Sequence, residues 1–171
     1  MDIQFVAADA ALGEKSALAI VVFEGEAAAA QGGAFAKALA GSRFTGAKGQ
    51  TLDLLAPAGT EAARVVLVGA GKADGFDGLG AENAAASAYN AVKTSGLTTL
   101  RVQVAGDAGQ AARAAFGVRL ASYRFDKYRT KEAAEKKPSV TKAEIVTGDV
   151  DGAIGAFADL HRDRRNRHGP R

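Results

Sequence analysis

The stretch "TLDLLAPAGTEAARVVLVGAG" (51–71) decides the fold. It opens on an alternating run, "TLDLLAP" (51–57), and closes on a continuous apolar run, "ARVVLVGAG" (63–71). Alternation predicts a strand with one face toward solvent, and a continuous β-branched run predicts a strand buried on both faces. Gly59 and Thr60 fall in the connection, so the two strands are expected to pair as an antiparallel hairpin.

Outward from this hairpin, strands alternate with helical patterns. "IQFVA" (3–7), "ALAIVVF" (17–23), "TTLRVQVAG" (98–106) and "TKAEIVTG" (141–148) read as strands, and the second of these is continuous and apolar like 63–71. "AAAAQGGAFAKALAG" (27–41) reads as a helix with Phe35 and Leu39 at i, i+4, weakened by Gly32 and Gly33 and stopped at Gly41. Residues 79–95 carry the clearest helical face: Ala81, Ala84, Ala85, Ala88, Tyr89 and Val92. A helix from about Gln110 to Tyr128 presents Ala112, Phe116, Leu120 and Tyr123, with Gly117 as a flaw and Arg119 close to the stripe. "RTKEAAEKKPSV" (129–140) is a charged loop broken by Pro138, and "DVDGAIGAFADL" (149–160) starts a helix capped by Asp149 or Asp151. Strands alternating with helices around a hairpin imply an α/β domain: a mixed β-sheet with helices on both faces.

Composition narrows the function. A domain of about 150 residues buries roughly 70% of the surface its unfolded chain exposes, so the 171-residue chain can hold a core without staples. There is no cysteine, which excludes disulfides, thiol nucleophiles and cysteine-ligated metals. The start, "MDIQFVAADA", lacks a signal pattern, and no run reaches the ~20 apolar residues of a membrane span. The expected location is therefore cytoplasmic, with no membrane partner. Residues 161–171 hold five Arg and one Asp, a net +4, whereas the whole chain is +3, so residues 1–160 sum to −1. The basic character belongs to the tail, and the rest of the chain has no global charge for attracting nucleic acid.

No catalytic constellation emerges. "VVLVGAGKADGFDG" has Gly69 and Gly71 in place for a dinucleotide turn, but Asp74 stands where the third glycine belongs. It also lacks the P-loop's first glycine and its Ser or Thr, with Val66 and Ala73 at those positions. Asp74 and Asp77 are expected to turn the chain or cap the next helix rather than to bind metal. Both histidines, His161 and His168, lie in the tail, so residues 1–160 offer no imidazole base or ligand. Ser42, Ser87 and Ser122 lack a nucleophile-elbow pattern. Phe125 and Tyr128 among basic residues could grip a single strand of nucleic acid, but Glu132 and Glu135 dilute that charge, and a solvated loop is expected. The expected site inventory is catalytic none, cofactor none and metal none.

"SYRFDKYRTK" (122–131), preceded by "AARAAFGVRLA", resembles the amino-terminal domain of the leucyl aminopeptidase (cytosol aminopeptidase) family. "GGAFAKALAGSRFTGAKGQTLDLLAP" and "RVVLVGAGKAD" are similar to that family's helix, glycine turn and next two strands, and the resemblance covers about residues 1–160. It implies a macro-domain-like fold over 1–148, the start of an interdomain helix over 149–160, and a basic tail over 161–171 expected to be disordered. It also implies that peptidase chemistry belongs to a separate, larger carboxy-terminal domain. There, two divalent metals, manganese or zinc, activate water to release amino-terminal residues from peptides. None of those motifs is present here, so the chain is expected to be inactive as it stands. The family's hexamers imply sister subunits and the catalytic domain as partners.

The tail, "HRDRRNRHGPR", breaks the apolar pattern after "AIGAFADL", as a frameshifted or mis-called gene end near residue 160 would. Two alternatives remain open at this level. One is a free-standing macro-like module binding ADP-ribose or a nucleotide at Gly69–Gly71. The other is a nucleic-acid adaptor using the tail and Lys127–Lys137.

Overall fold

The computed structural model describes residues 1–27, 35–58, 60–128 and 137–167. Its strands are β1 (Asp2–Val6), β2 (Ser16–Val22), β3 (Thr51–Leu55), β4 (Arg64–Gly69), β5 (Thr99–Gln103) and β6 (Lys142–Val146). Its helices are α1 (Ala36–Ala40), α2 (Gly78–Val92), α3 (Ala108–Tyr128) and α4 (Val150–Arg167). The strands form one six-stranded sheet in the order β1-β6-β5-β2-β4-β3. Only β3 runs antiparallel, hairpinned to β4 with Asp53 opposite Val66, as the alternating and continuous runs required.

Two cores lie on opposite faces. Ala17, Ala19, Val66, Val68, Leu100 and Val102 point to the face covered by α2, α3 and α4. Leu18, Ile20, Val65 and Leu67, the alternate residues, point to the other face and meet Leu39 of α1 and Phe35 just before it. The mixed sheet thus has helices on both faces. The helix expected over 27–41 is described only at Ala36–Ala40, and residues 28–34 of it lie outside the described residues.

The connection from β1 to β2 covers the rest of the second face. Through α2 and α3 the chain steps from β4 to β5 to β6, toward the β1 edge, whereas β1 to β2 steps back. Right-handed crossovers taken in opposite directions use opposite faces. Residues 7–15 accordingly run as a strap under β6 and β5, with Leu12 packed into the second core. Arg101 of β5 points at this strap and is only 4% exposed. Its Nη1 donates to the Ala10 carbonyl at 2.7 Å and its Nη2 to the Ala11 carbonyl at 2.9 Å. Nε and Nη2 also donate to Glu144 Oε1 of neighbouring β6, at 3.2 and 3.1 Å. A charge this deep is tolerable only when paired and hydrogen-bonded; two of the guanidinium's four hydrogen bonds tie the strap to the sheet and two pair it with Glu144 of the neighbouring strand.

The helical face predicted for α2 is the buried one: Ala81, Ala84, Ala85, Ala88, Tyr89 and Val92 are all buried. The face of α3 differs from expectation. Ala112 is buried as expected, but so are Ala111, Ala114, Ala115, Val118 and Ser122, while Tyr123 is 60% exposed. α3 lies between α2 and α4, so it is buried on two sides, and Phe116 and Arg119 turn toward α4. Gly117 is no flaw here. A Cβ at this position would collide with the Glu82 carbonyl of α2, so glycine sets how closely the two alanine-rich helices approach. α4 also departs from expectation. It continues to Arg167, so residues 161–167 form its last turns rather than a disordered tail, and residues 168–171 lie outside the described residues.

Candidate functional site

Open α/β sheets bind ligands beyond the carboxyl ends of their parallel strands. In this protein the turns after β5 and β6 flank a groove of about 360 Å³ at that edge, lined by Gly106, Asp107, Gly109, Thr147, Gly148 and Asp149. Three helices begin along the same edge, and each starts with an aspartate cap. Asp77 Oδ1 accepts from the Gly80 amide at 2.8 Å, Asp107 Oδ1 from the Gln110 amide at 3.0 Å, and Asp149 Oδ1 from the Gly152 amide at 2.9 Å. A helix N-terminus attracts phosphate through its free amides and positive dipole end. Here carboxylates already occupy these positions, so an incoming phosphate would meet negative charge.

The Gly69–Gly71 turn is also closed to an anion. The Gly69 amide donates to the Gln50 carbonyl at 2.8 Å, the Ala70 amide to Val22 at 2.9 Å, and the Gly71 amide to Gly46 at 3.0 Å. The partners of Gly69 and Gly71 belong to the "FTGAKGQ" turn (44–50), which folds onto the end of β4. Gln50 Oε1 locks that turn by accepting from the amides of Thr45 and Ala47 at 2.9 and 3.2 Å. Gly69 is required because a Cβ would strike the Ala47 carbonyl. The glycine pattern therefore records one backbone packed on another, and the amides a nucleotide would need are spent.

The other residues singled out in the sequence do not converge. Asp74 sits in a single 3-10 turn, Ala73–Gly75, and Asp77 caps α2. The Ser42 hydroxyl donates to the Leu39 carbonyl at 3.0 Å, and buried Ser122 donates to that of Arg119 at 2.9 Å. Ser87 lines a cavity of about 130 Å³ with Lys48 and Asn83. Among the described residues no three His, Cys, Asp or Glu side chains gather as a metal site would require. No described helix is long and apolar enough to cross a membrane. Most of the stretch 127–137 lies outside the described residues.

One cluster was not legible in the sequence. Arg119 Nη1 of α3 lies 2.9 Å from His161 Nε2 of α4, and its guanidinium stands over the Phe157 ring at 5.1 Å. The His161 ring meets Phe157 edge-on at 4.7 Å and Phe116 at 6.2 Å, while Arg164 covers Phe116 at 5.6 Å. Phe157 in turn packs on Phe5 of β1 at 5.7 Å. Burial, followed by the charges of Arg119, Arg165 and Arg164, holds the His161 imidazolium below its ordinary pKa. The i, i+4 spacing of Phe157 and His161 was the available signal, but it needed the helix to continue past residue 160.

Comparison with known proteins places this architecture. The family model for the amino-terminal domain of the cytosol aminopeptidase family matches residues 11–132. A curated relative from Caulobacter vibrioides, named "Probable cytosol aminopeptidase", is 53% identical over 168 residues, covering 94% of this chain and 34% of the relative. Among solved structures, a tomato leucine aminopeptidase mutant superposes with a TM-score of 0.72 at 19% identity, over 94% of this chain and 35% of its own. The bottromycin maturation enzyme BotP in complex with Mn reaches a TM-score of 0.57 at 21% identity, over 92% of this chain and 37% of its own. The identities of these structures are low enough that they speak to fold alone. The chain spans about a third of the length of the curated relatives it matches.

Proposed function

The chain belongs to the cytosol aminopeptidase family, as an amino-terminal domain of that family, and from that membership we propose that it is the non-catalytic amino-terminal domain of a metal-dependent leucyl aminopeptidase. In this reading residues 1–148 are the domain proper and α4 starts the link toward a catalytic domain. Release of amino-terminal residues from peptides takes place on that other domain, in the cytoplasm, in an assembly with sister subunits. The observation that carries the proposal is the coverage: 94% of this chain corresponds to 34% of a peptidase relative.

The chemistry of the chain supports it. A two-metal peptidase centre needs several carboxylates converging on one point. Among the described residues no such convergence is found: Asp77, Asp107 and Asp149 each hold a helix amide, and Glu144 is committed to Arg101. No hydrolytic step is therefore assigned to this chain's residues. The spent amides of Gly69–Gly71 also speak against the nucleotide-module alternative.

Two measurements test the proposal. The 171-residue chain, supplied with manganese or zinc, is expected to leave leucine amide intact. A chimera in which it replaces the corresponding third of the Caulobacter relative is expected to hydrolyse that substrate. Hydrolysis by the isolated chain would overturn the assignment, as would a folded chimera with no activity. Calorimetry with ADP-ribose should give no binding heat, and a saturable signal would instead favour the binding module.

A further inference from the structure

We propose that the contact between His161 and Arg119 is an acid-released latch holding the last turns of α4 on α3. A guanidinium can only donate, so His161 Nε2, 2.9 Å away, must be the bare nitrogen of a neutral ring with its proton on Nδ1. A second proton would set N–H against N–H and cation against cation across that distance.

The charged side chains facing the ring are arginines, which oppose the new charge. Arg119 faces the ring from α3, and Arg164 and Arg165 face it from α4. From β1, the apolar Phe5 packs on Phe157. The nearby carboxylates of α4, Asp159 and Asp163, pair with Arg162 and Arg167 and are themselves 73% and 63% exposed. The helix dipole favours cations only within the last turn, and His161 lies more than a turn before Arg167. The depressed pKa of His161 agrees with this geometry.

The latch matters because little else holds this end of the helix. Ala153 is the only described residue of α4 that is buried, and beyond it the ring and hydrogen-bond contacts with α3 run from Phe157 and His161 to Arg119, from His161 to Phe116, and from Arg164 to Phe116. Segments with few buried contacts open first. Acidification is therefore expected to free the terminal turns, which carry Arg162, Arg164, Arg165 and Arg167, while the sheet stays folded.

The chain has two histidines, which makes the test selective. Amide hydrogen exchange of the full chain is compared at about pH 7.5 and about pH 5, on either side of an unperturbed imidazole, after correction for intrinsic rates. Wild type and His168→Gln should lose protection across residues 157–167 at the lower pH, with β5 and α2 unchanged. His161→Phe keeps the ring contacts but cannot titrate, and should show no such pH-dependent loss. Ring nitrogen shifts of His161 should report the Nδ1–H tautomer at about pH 7.5. Unchanged protection in wild type, an equal loss in His161→Phe, or the opposite tautomer would each overturn the latch.

Discussion

Replacing Arg101 with methionine tests whether the strap is clamped by charge or merely lies on the sheet. The side chain makes four hydrogen bonds, two to Glu144 Oε1 and one each to the carbonyls of Ala10 and Ala11. Its removal leaves the Glu144 carboxylate, in a residue 9% exposed, with only Lys142 Nζ at 3.7 Å. Breaking one side of a buried pair costs about 3–5 kcal/mol, because the remaining charge stays desolvated. The strap carbonyls can turn toward water and add little. A domain of this size typically has about 5–15 kcal/mol in total, so Arg101→Met should remain folded but lose roughly 6–20 °C in Tm. The chain has no tryptophan, so far-UV circular dichroism is the suitable probe of unfolding. The double variant Arg101→Met/Glu144→Leu should recover most of the loss, to within about 2 kcal/mol of wild type, since an apolar pair removes the stranded charge. If Arg101→Met costs under about 1 kcal/mol, the range of exposed pairs, or if the double variant is no better than the single, the clamp reasoning is wrong.

Gly117→Ala should destabilise by about 1–3 kcal/mol through overpacking against the Glu82 carbonyl, outweighing the roughly 1 kcal/mol gained in helix propensity; equilibrium urea unfolding measures the sign. Asp149→Ala should cost about 0.5–2 kcal/mol as a lost cap, and Asp151→Ala, which removes only a charge in the first turn, clearly less. Because the folded-state pKa of His161 lies below its ordinary 6.5, the unfolded chain binds the extra proton first. Its contribution is therefore complete above that value and declines as pH falls from there toward the folded-state pKa. A thermal-melt series of wild type against His161→Phe should diverge only on that acidic side.

The amino-acid sequence alone determined the local elements, because periodicity and capping act within a few residues. The six buried positions of α2, the β3–β4 hairpin and the Asp77 cap all follow from spacing and turn chemistry. The relation to leucyl aminopeptidases was legible for the same reason, since its motifs are short runs in a fixed order. Only tertiary structure decided which residues meet across long separations. Arg101 reads as an ordinary alternating strand residue until the strap, some 90 positions away, lies over it. Gly117 reads as a weak helix position until α2 arrives against it, and Gly69 as part of an incomplete dinucleotide motif until the backbone of Gly46 and Ala47 fills the space beside it. The closing turns of α4 are likewise held by an arginine 42 residues earlier. A hydrogen-bond pattern along one segment says nothing of where another segment will meet it: the start of the basic tail rests against α3 through His161, and the glycine turn is closed by the turn packed on it.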